Sequence, residues 1–271
     1  MVNSIHNNPG ATNGVRELSR SSSVLEKIQE RAATGKKVNS PKDDAAIFAI
    51  AQQLESQLAA AAAVKTNLAF GESVTGTALA AGQEVSDLLI EAKAKAVQAS
   101  QDGLDQASRD ALQADLNSLT AQIDTVVSSA SFGGKNLLEQ GGTGLNVQAS
   151  ENGDTIAVQS ADLSSAGLGV DSLSLGTAAD AQTAVGSIDS ALKNTDRALA
   201  NLGSSANRID EQSKFTTVLS DATKQGLGNM VDADMGAEAA KLLATEVKLR
   251  LGVQSLSIAN AAPRNIASLF E

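Results

Sequence analysis

Histidine occurs once in the chain, at His6, close to Pro9 and Gly10. General acid–base work or zinc binding needs companion groups beside an imidazole, and His6 has no histidine or cysteine partner anywhere in the sequence. A Ser-His-Asp set needs a better placed histidine, and a His-Glu-x-x-His metalloprotease needs two. The missing cysteines also remove disulfides, thiolate nucleophiles and zinc–thiolate sites. Asp43-Asp44 is a carboxylate pair, but a helix start accounts for both, because acidic groups suit the positive end of a helix dipole. Asp232-x-Asp234 supplies too few oxygens for a calcium loop and reads as a turn. The glycines at Gly133-Gly134 and Gly141-Gly142-Thr143-Gly144 precede no Gly-Lys-Ser/Thr and no helix start, so they read as loop rather than a phosphate cradle. The sequence therefore predicts no catalytic residue, no metal site and no cofactor.

Chemistry being absent, the elements themselves carry the information. The stretch from Asn39 to about Ser100 opens Asn-Ser-Pro-Lys-Asp-Asp. Ser40 is expected as N-cap, Pro41 as first helical residue and Asp43 as the partner in a capping box. Nine of the nineteen residues from Ala45 to Ala63 are alanine, the best helix former. Ile47, Ile50, Leu54 and Leu58 recur on one side, and no proline follows until Pro263. One helix of this length spans roughly 90 Å, a rod, with Gly71, Gly76 and Gly82 as places where it could bend.

Before the rod, residues 1–14 read as irregular or loosely helical. Val15, Leu18, Leu25 and Ala32, with Ile28 beside them, make a short coiled-coil seam ending at Thr34-Gly35. After it, Asp102-Gly103 makes a turn, and Leu112, Leu116, Leu119, Ile123 and Val126 step by three and four, the seam of a helix folded back on the first. Leu145–Gln148 and Thr155–Val158 alternate apolar and polar around Asn152-Gly153, the one convincing β-hairpin. Residues 161–177 read as irregular. Helical patterning returns from Ala178 to about Gly226, and Leu242, Leu249 and Leu256, with Val253, form a last seam.

The fold class that follows is mostly α: long antiparallel helical rods with one small β-hairpin and paired N- and C-terminal segments. Five phenylalanines and no Trp or Tyr imply thin helix–helix packing. The formal net charge of −10 is uneven: residues 1–42 carry +4, residues 241–271 carry +2, and the 198 residues between carry −16. Nucleic-acid binding does not fit, because the basic ends lack interleaved aromatics and the middle repels phosphate. No apolar run is long enough to span a membrane. Short terminal seams bury little as a pair, so wrapping among copies of the chain would add the missing burial.

Five motifs carry a family resemblance. Residues 29–51, QERAATGKKVNSPKDDAAIFAIA, resemble the bacterial flagellin signature ERLSSGxRINSAKDDAAGxAIA. Ala94–Ser100 resembles ELAVQSA, Phe132–Leu138 resembles FNGxKLL, and Met230–Met235 resembles IxDADYA. Gln254–Asn260, through Ser268-Leu269-Phe270, resembles the family's C-terminal end. The motifs stand in the family's order along nearly the whole chain.

The resemblance implies a structural subunit that polymerises into the bacterial flagellar filament for motility. The alternative is a related axial protein at the hook–filament junction or a secreted coiled-coil factor. It implies a terminal layer, D0, at 1–42 and 236–271, and a helical rod, D1, at 43–235, with no outer D2 or D3 because there is no long insert between residues 139 and 177. Val15, Leu18, Leu25, Ile28, Leu242, Leu249, Val253 and Leu256 are expected at the assembly interface, and Leu112, Leu116, Leu119 and Ile123 in the D1 core. The implied partners are further copies of the chain, sister flagellins, an export chaperone, and cap and hook-junction proteins, with neither nucleic acid nor membrane insertion. The implied location is the extracellular filament, reached without a cleaved signal peptide. Many family members are sensed by a Toll-like receptor that grips D1 around RVRELAVQ. Alignment on Ala96-Val97-Gln98 puts Glu91 at the receptor-contacting Arg position, Lys95 at the Leu position and Asp115 at the assisting Glu position.

Overall fold

The structure is a computed structural model that describes residues 8–267, with side chains described through residue 261. His6 and the motif end at Ser268-Leu269-Phe270 lie outside the described residues. In chain order the elements are α1 (Pro9–Thr34), α2 (Ala45–Ala99), α3 (Gln106–Ser129), β1 (Ser131–Phe132), β2 (Lys135–Asn136), β3 (Leu145–Gln148), β4 (Thr155–Val158), α4 (Ser165–Leu168), α5 (Ala178–Val231) and α6 (Met235–Ala267). They form two compact units. One gathers the chain up to Ser56 with the chain from Ala222; the other is Gln57–Asp221.

In the first unit, α1 starts earlier than its seam suggests. Pro9 takes the first turn, where it loses no hydrogen bond, and the Asn8 side chain accepts from the Ala11 N–H at 3.0 Å. Of the two readings for this stretch, irregular or loosely helical, residues 9–14 take the helical one. Gly35, at φ 70°, closes α1 and donates its N–H to Arg31 O at 2.9 Å. The chain then pairs with the segment before α6. Lys37 N–H donates to Val231 O at 2.7 Å and Ala233 N–H to Gly35 O at 2.8 Å.

The predicted capping of α2 is displaced by four residues. Ser40-Pro41-Lys42-Asp43 forms a turn, and Asp43 Oδ2 accepts from Asn39 N–H, Ser40 N–H and Ser40 Oγ. Asp44 is the capping residue: its Oδ1 accepts from Ala46 and Ile47 N–H, both at 3.0 Å. Asp234 does the same for α6, accepting from Ala237 N–H at 3.0 Å.

In the second unit, α2 continues without a break through Gly71, Gly76 and Gly82. Gly71 is instead a point of close approach, where a Cβ would stand 2.5 Å from Val147 Cγ2. Asp105 caps α3 through Ser108 N–H at 2.7 Å, and α3 returns against α2. Leu116 and Ile123 of α3 are buried with Leu68, Val85 and Leu89 of α2 and Ile188, Leu202 and Ile209 of α5. Burial of such side chains contributes about 1.5–3 kcal/mol each and dominates folding here.

The predicted hairpin is present, with Leu145 opposite Val158 and Gln148 opposite Thr155. Val147, Ile156 and Val158 enter the core. A second, two-residue hairpin joins β1 to β2 through Gly133 and Gly134, both at positive φ, in a stretch expected to be loop. The segment 161–177, expected to be irregular, holds the single turn α4.

Candidate assembly surface

The terminal helices present two apolar faces. The first is the seam between α1 and α6, which run antiparallel: Asn8 Nδ2 donates to Ala259 O at 2.8 Å, and Arg31 lies near Glu238 at the other end. Ile28 is buried, and Leu18, Leu25, Leu242, Leu249 and Leu256 are half-buried. Small residues let the backbones approach. A Cβ at Gly14 would meet Leu256 Cδ1 at 3.3 Å, and one at Gly252 would meet Leu18 Cδ1 at 3.3 Å. Six of the eight residues expected at the assembly interface are thus buried or half-buried in the subunit itself.

Glu238 closes the seam. It is 4% exposed. Its Oε1 accepts from Lys241 Nζ at 2.9 Å and lies 3.8 Å from Arg31 Nη1. Its Oε2 has no hydrogen-bond partner among the described residues. A buried carboxylate is tolerated here because two cations offset its desolvation.

The second face points to solvent. Leu243, Val247 and Leu251 follow at four-residue steps along α6, with Ile258 two turns on, and they are 63%, 54%, 61% and 68% exposed. Val253 also lies exposed on α6, and Val15 and Val24 on α1. From Leu251 to Ala261 the sequence holds no charged residue. An exposed apolar stripe of this length is rare on a monomer and marks a binding surface. Sequence reasoning missed Val24, Leu243, Val247, Leu251 and Ile258. The available signal was their spacing beside the heptad seam, which makes the apolar arc of α6 wider than one partner helix covers.

In the other unit, Leu116, Leu119 and Ile123 are buried and Leu112 half-buried. Lys95 Nζ pairs with Asp115 Oδ2 at 2.7 Å, while Glu91 stands exposed one turn back. Among the described residues, no helix is long and apolar enough to cross a membrane.

The family model for the bacterial flagellin N-terminal helical region matches residues 5–143, and that for the C-terminal helical region matches residues 185–270. Flagellin FljK of Caulobacter vibrioides is 40% identical over 270 residues, covering 99% of each chain. The chain belongs to the bacterial flagellin family. A flagellin of Brucella melitensis is 33% identical over 280 residues, covering 98% of this chain and 99% of that one. The crystal structure of Bacillus cereus flagellin superposes with a TM-score of 0.52 at 25% identity, over 55% of this chain and 88% of that one. A putative flagellar hook-associated protein from Vibrio parahaemolyticus reaches a TM-score of 0.59 at 15% identity, over 70% of this chain and all of that one, a likeness of fold alone. Flagellins are structural proteins that self-polymerise into the extracellular flagellar filament, and the exposed face of α6 belongs to such a subunit. The full-length match to short relatives fits a flagellin without D2 and D3.

Proposed function

We propose that subunits of this flagellin associate through the outward stripe of α6, Leu243, Val247, Leu251 and Ile258, together with Val15, Val24 and Val253, while Leu18, Leu25, Ile28, Leu242, Leu249 and Leu256 hold α1 and α6 together within each subunit. The observation that carries this reading is the exposed apolar stripe on α6, whose C-terminal part, from Leu251 to Ala261, holds no charged residue. Assembly in water is driven by removing such surface from solvent. The terminal layer D0 comprises 1–42 and 236–271, and D1 comprises 43–235. These boundaries lie close to the starts of α2 at Ala45 and α6 at Met235, whereas the compact units divide within α2 and α5. Leu112, Leu116, Leu119 and Ile123 serve the D1 core rather than an interface. The protein has no enzymatic role. It leaves the cell by flagellar export, carried by an export chaperone. It meets hook-junction and cap proteins at the filament ends and sister flagellins within the filament.

The test is seeded elongation by full-length Val247→Lys/Leu251→Lys subunits. The variant should keep the helical content of the natural chain and fail to extend filament seeds. Normal elongation would remove the stripe from the assembly contact. Amide exchange gives a second measure: α1 and α6 should exchange fast in the free subunit and slowly in the filament, because helices with so little intramolecular burial depend on neighbours.

A further inference from the structure

The dipeptide Asn-Gly occurs twice, at Asn13-Gly14 and Asn152-Gly153. Both asparagines are exposed, so access does not separate them. Their backbones do. Asn13 and Gly14 lie inside α1, where helical dihedrals hold the Gly14 nitrogen away from the Asn13 side chain and the helix ladder engages its N–H. Asn152 and Gly153 form the tip between β3 and β4, with Gly153 at φ 93°.

The hydrogen bonds of this tip run through Ser150 and Asp154. Ser150 Oγ donates to Asp154 Oδ2 at 2.8 Å and accepts from the N–H groups of Asn152 at 3.2 Å and Asp154 at 3.1 Å. Gly153 N–H donates to Ser150 O at 3.3 Å, a long contact. The tip is thus anchored on both sides of Asn152, while the nitrogen next to its side chain is lightly held.

We propose that Asn152 is a site of spontaneous deamidation in the filament, and that Asn13 is spared. The Gly153 backbone nitrogen, giving up its proton to hydroxide, attacks Asn152 Cγ. A five-membered succinimide closes as the new N–Cγ bond forms, the Cγ–Nδ2 bond breaks, and the side-chain nitrogen takes a proton from water and leaves as ammonia, regenerating the hydroxide. Water then adds to either ring carbonyl and opens the ring, giving aspartate or, with the main chain routed through the side-chain carbon, isoaspartate. The net change exchanges water for ammonia, with no oxidation or reduction. Glycine permits the approach because no Cβ shields its nitrogen and its φ is free. Heat-labile asparagine chemistry of this kind is selected against where proteins must last at high temperature.

The product changes the surface it sits on. A new carboxylate falls between Glu151 and Asp154, adding one negative charge to a chain of formal net charge −10. It stands on the rim of a largely apolar groove lined by Val64, Ala149, Phe215 and Leu219. Isoaspartate also inserts an extra backbone carbon into a tip whose Ser150–Asp154 bonds set the end of the β3–β4 register.

The test follows intact filaments incubated at neutral and mildly alkaline pH, with peptide mass spectrometry that separates aspartate from isoaspartate. The Asn152 amide should be lost at least about tenfold faster than the Asn13 amide, which corresponds to about 1.4 kcal/mol in barrier. The rate should rise with pH, and the product should contain isoaspartate. Gly153→Ala should slow the loss. Because alanine is strained at positive φ, isoaspartate in the unaltered chain is the deciding readout. An Asn152 amide that lasts as long as Asn13, or a product of aspartate alone, overturns the proposal.

Discussion

Lys95 Nζ lies 2.7 Å from Asp115 Oδ2, so the ammonium one turn beyond Glu91 is engaged by α3 rather than by its own helix. The hydrogen bond to Asp115 is the main reason Lys95 titrates above its ordinary value, followed by the Asp115 charge; Glu91 adds a smaller attraction. Sequence spacing alone pairs Lys95 with Glu91, and the fold supplies a better partner from twenty residues away.

That bridge occupies the positions that resemble the Toll-like receptor contact. A carboxylate stands where the receptor-binding arginine is found, an ammonium where the leucine is found, and the assisting carboxylate is already neutralised. We expect the subunit to activate the receptor weakly or not at all, because an unpaired charge buried at an interface weakens binding by about a thousandfold. A reporter-cell titration should show a gain for Glu91→Arg/Lys95→Leu, which also releases Asp115. Strong signalling by the unaltered chain contradicts the expectation.

Two glycines of α2 should respond to alanine in opposite directions. At Gly71 the added methyl would stand 2.5 and 2.9 Å from the two Val147 methyl carbons, so helix and hairpin must part. Overpacking of this kind destabilises by about 1–3 kcal/mol. At Gly76 nothing lies within 4 Å, and replacing a helical glycine by alanine stabilises by up to about 1 kcal/mol. Urea unfolding of the two variants gives both signs, and shifts in the same direction would refute the contrast.

These glycines also show where sequence reading stops. Periodicity located α2, α3, α5, the β3–β4 hairpin and the terminal seams, because each buries one stripe of side chains at its own repeat. It placed Leu116, Leu119 and Ile123 on one face of α3, and they are buried there. A glycine inside a helix reads as a weak point unless its neighbour is known, and Val147 is seventy-six residues away from Gly71. The cap of α2 slipped from Ser40 to Asp44 because two overlapping acidic starts compete, and local spacing does not rank them. The heptad pattern explains α6 with one partner and so gives no reason to single out Leu243, Val247, Leu251 and Ile258. A filament subunit needs apolar surface beyond its own fold.

Acid should loosen both units through their turn carboxylates. Asp105 titrates below its ordinary value of 3.8, chiefly because its carboxylate accepts the Ser108 N–H. Asp43 is also lowered, first by the Asn39 N–H and next by the Ser40 hydroxyl. A depressed folded-state value means that the stabilisation is complete above 3.8 and is lost as pH falls through the folded value. Asp105→Asn keeps the capping acceptor without the charge. Its melting temperature should fall a few degrees below that of the unaltered chain at neutral pH, and the gap should narrow as the pH falls below 3.8 through the folded value. A gap that widens in acid would show that Asp105 is not the titrating group.

Arg109, in the first turn of α3, is a buried cation that no sequence motif points to. It is 7% exposed, yet no carboxylate pairs with it among the described residues. Its guanidinium donates from Nη1 to Ala99 O and from Nη2 to Gln101 O, the latter at 3.0 Å. Ala99 ends α2, and the last carbonyls of a helix lack partners within it. The first turn of α3 thus sends a forked donor back to the end of α2 and fixes the reversal between them. Arg109→Ala leaves those carbonyls unmet and should destabilise the subunit by about 1–3 kcal/mol. Arg109→Lys should recover only part of this, because a single ammonium does not reproduce the planar fork. Arg197→Ala, at an exposed position of α5, is the control and should change stability by less than about 0.5 kcal/mol. The measurement is the urea midpoint at unchanged slope. Equal midpoints for Arg109→Ala and Arg197→Ala would mean that water replaces the guanidinium at the α2 terminus without loss.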